Sequence, residues 1–260
     1  MKNIIRYSTL LTISVSFLFI SCSFVGVNKN YEKDINGSAI IDGLNITLND
    51  SGETSTKTYD VAGFKAIKTN IPCKINYAMG PESLSISATE TVFCHLSVLV
   101  VDSVLVIETR GVKIRNQRSN RIEVSAPMLS GLTVNGAADF NSDRIVTDDF
   151  TCNINGAGDV YINSLEAKDV SVEVNGAGDL DIEHFRCEEA NVEINGAGDL
   201  AVEDLDCNNI RIEVNGAGDV SLSGKARTAR VDITGAGDVK ASSLECDDFV
   251  KTVNGKIRSK

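Results

Sequence analysis

Between Val170 and Ile182 the apolar residues fall on every second position. Val170, Val172 and Val174 alternate with Ser171 and Glu173, and Leu180 and Ile182 flank Asp181. A two-residue period predicts strands with one buried and one wet face. The same parity puts Gly176 and Gly178 on the inward side of the bend between the two strands, and Asn175, Ala177 and Asp179 outward. Glycine suits a corner around a narrow core, where side chains have no room and φ > 0 carries no steric penalty. Parity breaks at Phe185 and Cys187 and again at Ala190, so each unit has two further bends and closes as a coil. No repeat has a 3.6-residue apolar period, which argues against a helical repeat.

The corner returns. NGAGD occupies residues 155–159, 175–179, 195–199 and 215–219, a spacing of 20; NGAAD precedes the set at 135–139, TGAGD follows at 234–238, and Asn254 and Gly255 carry a fragment. A fixed period of this length marks a solenoid. Stacked coils align equivalent residues about 4.8 Å apart, and the resulting columns are aliphatic: Val134, Ile154, Val174, Ile194, Val214, Ile233 and Val253 in one, Phe140, Val160, Leu180, Leu200, Val220 and Val239 in another. One coil cannot bury its apolar face, but three or more build a continuous core. The predicted fold is all-β, a single-stranded parallel β-helix with about 20 residues per coil.

The segments TVNGAADF, NINGAGDV, VEVNGAGDL, VEINGAGDL, IEVNGAGDV and DITGAGDV resemble the head GIN domain of putative auto-transporter adhesins. Upstream, GFKAIKTNIPCKINYAMGPESLSISATE, VLVIETR and IEVSAPMLSGLTVNG follow that family's opening order of strands, so the resemblance covers residues 61–257. It implies a right-handed β-helix in an exported protein or lipoprotein of Bacteroidetes and related bacteria, with a suggested adhesion role. It brings no catalytic or ligand residue.

Residues 1–21 carry Lys2 and Arg6, an apolar stretch from 10 to 20, and Ser21 before Cys22, the pattern of a signal peptide too short to span a bilayer. FISC at 19–22 resembles a relaxed lipobox, so Cys22 is the expected lipidation site, with plain signal cleavage as the alternative. Residues 22–58 are polar and read as a tether or lead-in, and 59–260 as the β-helix domain, with regular repeats over about 130–257. Strands are expected at 64–67, 71–77, 84–86, 96–100, 104–107 and 122–124, irregular, partly antiparallel coils that cap one end of the solenoid. At the other end Lys251 replaces an aliphatic residue, and Lys256, Arg258 and Lys260 blunt the last edge.

The formal charge of −11 becomes −13 without residues 1–21, since they hold two cations and no acid. That balance argues against nucleic acid as a partner and against broad adsorption to anionic lipid. Asp139, Asp159, Asp179, Asp199, Asp219 and Asp238 should form one column, with neighbouring carboxylates repelling by somewhat under ~1 kcal/mol. The simplest offset is that each Asp accepts hydrogen bonds from backbone N–H groups of its own glycine turn. Calcium between coils is the sharper alternative, and a glycan or protein partner the third. Asn135, Asn155, Asn175, Asn195 and Asn215 should stack as an amide ladder, and the two columns together form a flat, repetitive polar face suited to a repetitive polymer.

Cys187 and Cys207 share a column with Ala167, Ala226 and Cys246. A small buried residue is the simplest reading, and a disulfide between neighbouring coils is within reach though strained by parallel Cβ vectors. No CxxC or Cys/His set points to zinc. His95 and His184 are the only histidines, and repeated acids cannot supply a unique carboxylate pair. The sequence therefore predicts a non-enzymatic module without a required cofactor, bound to the membrane by an N-terminal lipid, its partner a glycan or an envelope or host protein. A periplasm-facing scaffold is the competing reading.

Overall fold

A computed structural model describes residues 46–50, 52–115, 120–254 and 256–259. The expected signal peptide, the expected lipidation site Cys22 and most of the stretch read as lead-in lie outside the described residues.

From Gly131 onward the chain is a parallel β-helix. Asp169–Gly176 pairs in parallel with Asp149–Gly156 on one side and with the end of Leu180–Gly196 on the other. Partners differ by 20 throughout, as in Val170↔Ala190 and Val174↔Ile194. Leu200–Gly216, Val220–Gly235 and Val239–Val253 stack in the same way. The register slips by one residue between Val202 and Leu205, and Gly224 comes to pair with Leu205. One residue is thereby lost from that coil, which is why the last corner follows at 19. The predicted columns are the core: Val134, Ile154, Val174, Ile194 and Val214 have no exposed surface, and Phe140, Phe150 and Phe185 are its largest fully buried side chains. Full burial of each such side chain contributes about 1.5–3 kcal/mol.

The corner glycines are needed for a different reason from the one parity suggests. Gly176 has φ +147°, and a Cβ built there would lie 1.9 Å from the carbonyl oxygen of Gly156. It would point along the solenoid axis into the backbone of the preceding coil, not into the core. Gly178 has an ordinary φ, but its Cβ would meet Gly158 O at 2.3 Å. These close approaches carry hydrogen bonds: Ala177 N donates to Gly156 O at 2.8 Å, and Ala197 N to Gly176 O at 2.9 Å.

The cap is built by folding back. Ala66–Thr69 and Cys73–Met79 form a coil that stacks in parallel on Gly131–Gly136 and Ala138–Ser142, 65 residues later in the chain. On its other side lie Val104–Thr109 and Arg121–Ala126, also parallel. Antiparallel strands then close the end. Leu96–Val101 pairs with Val104–Thr109, Ser83–Thr89 with Arg121–Ala126, and Thr54–Tyr59 with Ser83–Thr89. A short helix, Glu90–His95, is capped by the Thr89 hydroxyl accepting from Val92 N. The six expected strands are present within a few residues of their expected bounds.

Two strands fall inside the stretch read as lead-in. Thr54–Tyr59 belongs to the cap, and Ile46–Asn49 pairs in parallel with Val112–Arg115. The folded region therefore extends back to Ile46. Thr54–Tyr59, mostly exposed and rich in Thr, gave little apolar alternation to read. At the far end Lys256–Ser259 turns back antiparallel onto Val250–Val253.

Candidate functional site

The repeated corner brings both polar columns together along one flank. Asn155, Asn175, Asn195 and Asn215 each donate Nδ2–H to the side-chain oxygen of the preceding Asn, at 3.0 to 3.2 Å. Asn135 extends the ladder to Asn70 of the cap at 2.6 Å. The second amide hydrogen of Asn175 and Asn195 goes to Glu173 and Glu193, at 2.8 and 2.9 Å. Each central amide thus spends its donors inside the solenoid, and the ladder is structural. Sequence reasoning missed Asn70, which lacks the pentapeptide, and the glutamates two residues before Asn175, Asn195 and Asn215.

The Asp column differs in detail from expectation. The carboxylate of Asp159 accepts the backbone N–H of Asp179 in the next coil, and Asp179, Asp199 and Asp219 repeat this toward Asp199, Asp219 and Asp238, at 2.7 to 3.2 Å. The bond runs between coils rather than within one glycine turn. A single Oδ1 serves each link, and Asp139, Asp159, Asp179, Asp199, Asp219 and Asp238 are all exposed. One oxygen of each linking carboxylate is left facing solvent beside the exposed Ala157, Ala177, Ala197 and Ala217. Cations stand at both ends of the column. Lys74 is in register with Asp139, and Lys251 Nζ lies 3.3 Å from Asp238. The Val239 N–H and Lys251 together hold the Asp238 carboxyl below its ordinary value. Among the described residues no three His, Cys, Asp or Glu side chains gather into a metal cage. A column with one carboxylate per coil does not fit the six to eight oxygens calcium takes.

Around the coil, His184 Nδ1 lies 3.0 Å from Asp204, and Arg186 bridges Asp204 and Asp206 at 3.3 and 3.4 Å. The His184 hydrogen bond lowers the Asp204 carboxyl. All four side chains are about half exposed or more, so this is a solvated ion network on neighbouring coils. Cys187 and Cys207 are joined by a disulfide across neighbouring coils, with Cα atoms 4.7 Å apart. The small-buried-residue reading holds for Ala167 and Ala226 in that column. Cys73 and Cys152 are free and buried, their thiols pushed up to about 12 by burial. Beside the cap an open groove of about 600 Å³ is lined by Tyr59, Asn76, Glu82, Glu123 and Asp143, with Asn76 donating to Glu123 at 2.7 Å. Its residues come from four separate strands and turns, and no spacing in the sequence announces it.

The class is a capped, single-chain parallel β-helix with a periodic polar flank. The chain belongs to the family described as "Putative auto-transporter adhesin, head GIN domain", whose profile matches residues 63–219 and 180–257. Among solved structures it is similar to a putative adhesin from Bacteroides fragilis NCTC 9343, at 21% identity and a TM-score of 0.64 over 79% of this chain and 100% of that one. It is also similar to a putative lipid binding protein from Parabacteroides distasonis ATCC 8503, at 14% identity and a TM-score of 0.54 over 77% of this chain and 99% of that one. No protein of curated function matches it. At these identities the likeness establishes the fold.

Proposed function

We propose that this chain is a non-enzymatic adhesin of the cell envelope, exported through its N-terminal signal, anchored by lipid at Cys22, and binding an extended polymer along its flank. The observation that carries this reading is the repetition of one corner, each copy leaving a spare carboxylate oxygen at the spacing of stacked coils. A ligand that repeats along its own length can meet such a row in many registers at once, and weak contacts then add. A hydroxyl-rich glycan offers donors to carboxylates without requiring a deep pocket, and it is the favoured partner over an envelope or host protein. Membership of the adhesin family and the −13 balance outside residues 1–21 support the same reading.

The test is protease digestion of intact cells against a periplasmic control, followed by a glycan and matrix binding screen. Digestion of the chain, with binding lost when Asp159, Asp179, Asp199 and Asp219 are all changed to Asn, is the expected result. Protection from protease would sink the adhesin reading and leave a periplasm-facing scaffold.

A further inference from the structure

The stacked sheets must end somewhere, and each end presents strands with an unpaired row of N–H and C=O groups, the template on which further strands add. At the far end Lys256–Ser259 covers Val250–Val253, and the rest of the last coil carries Lys240, Glu245, Asp247 and Asp248. At the cap end Thr54–Tyr59 is a polar edge bearing Lys57, which pairs with Glu90 at 3.3 Å. Charge and covering protect all of these. Among the described residues the second cap edge, Leu96–Val101, has neither protection. Its sequence LSVLVV contains no charge and no proline, and among the described residues it pairs only with Val104–Thr109. Leu96, Val98 and Val100 pack toward the core, while Leu99 and Val101 are 44% and 52% exposed.

We propose that this edge is a self-association site, taking the same strand of a second copy in antiparallel pairing. Charge decides what can approach it. Residues 130–260 hold 12 Lys and Arg against 25 Asp and Glu, a balance of −13, whereas residues 46–129 hold 9 against 8, a balance of +1. Two copies meeting along their solenoids would set like charge against like charge. Meeting at the cap edge, they continue the sheet past its terminal strand and leave the acidic coils on opposite sides of the junction. The edge is also self-complementary, as a two-fold interface requires. Antiparallel pairing that keeps outward residues beside outward residues must place the dyad on a residue rather than between two, because a one-residue slip exchanges the faces. Centred on Leu99, it sets Leu99 against its own copy, Ser97 against Val101 and Val98 against Val100.

Cysteine substitution tests this in the full chain. Directly opposed residues of an antiparallel pair lie within disulfide range. Leu99→Cys is therefore expected to give a covalent dimer under mild oxidation, above the level of the parent chain and of Thr56→Cys on the polar edge. Leu99→Lys together with Val101→Lys should weaken dimerisation in sedimentation by on the order of tenfold or more, with the far-UV circular dichroism of the folded chain unchanged because both side chains face outward. Absence of a Leu99→Cys crosslink, or a parent chain that stays monomeric at tens of micromolar, would overturn the proposal. So would a monomer that binds phosphatidylcholine vesicles through this edge and loses that binding in the lysine variant, which would assign the edge to a lipid surface.

Discussion

The solenoid and its cap use the same parallel pairing but arrive at it differently. In the coils every strand finds its partner 19 or 20 residues away, and one corner is reused. In the cap the equivalent partners are 65 residues apart, as in Asn70 and Asn135, and antiparallel strands finish the sheet. Repetition permits close backbone approach at the corner and so demands glycine there. The cap, lacking that neighbour, does not.

The sharpest way to break this contrast is a pair of glycine substitutions. Gly176→Ala drives a Cβ into Gly156 O and should destabilise by about 4 kcal/mol or more. Gly136, which faces the cap coil at φ +114°, has nothing within 4 Å of a built Cβ, so Gly136→Ala should cost only the backbone strain, about 1–3 kcal/mol. Chemical denaturation of both variants checks the ordering, and equal losses would contradict it.

Next in size is the core. Ile194, fully buried between coils, should lose about 2–5 kcal/mol on change to Ala, whereas Leu99→Ala on the cap edge should stay within about 0.5 kcal/mol. Smaller again is the amide ladder. Asn195→Ala strands a donor on Asn215 and an acceptor on Asn175 and should cost about 1–2 kcal/mol, with Asn70→Ala at the ladder's end costing less than half of that.

The smallest contrast is in acid. Asp148, Asp204, Asp232 and Asp238, all in the coils, have carboxyls lowered by Lys168, His184, Arg230 and the Val239 N–H respectively. A carboxyl lowered on folding adds stability above its unfolded value near 4, and that stability is lost as pH falls below it. His95, on the cap helix, is lowered by burial from 6.5. A histidine favoured neutral in the fold likewise gives stability that is present above 6.5 and lost on acidification. Hydrogen exchange across a pH series should therefore show Leu96–Thr109 starting to lose protection at a higher pH than Leu200–Gly216.

The coils were legible because their period writes each column several times over. The Val174 column, the Asn ladder and the Asp row all follow from counting. The direction of the glycine Cβ was not, because parity assigns a face but cannot register a neighbour along the axis. The link from each Asp to the next coil's N–H was hidden for the same reason. In the cap, Thr54–Tyr59 and Asn70 gave no periodic signal, since their partners at Ser83–Thr89 and Asn135 are set by chain reversal rather than by repeat.

Interchangeable coils are the centre of this account, and deletion tests them most directly. Removing residues 176–195 excises one full repeat and rejoins Asn175 to Gly196, while removing 176–185 excises half and puts the chain out of register. Thermal unfolding followed by circular dichroism should show the 20-residue deletion folding cooperatively with a modestly lower midpoint, and the 10-residue deletion failing to fold. Equal tolerance of both, or loss of cooperative folding in the 20-residue deletion, would contradict the stacked-coil architecture.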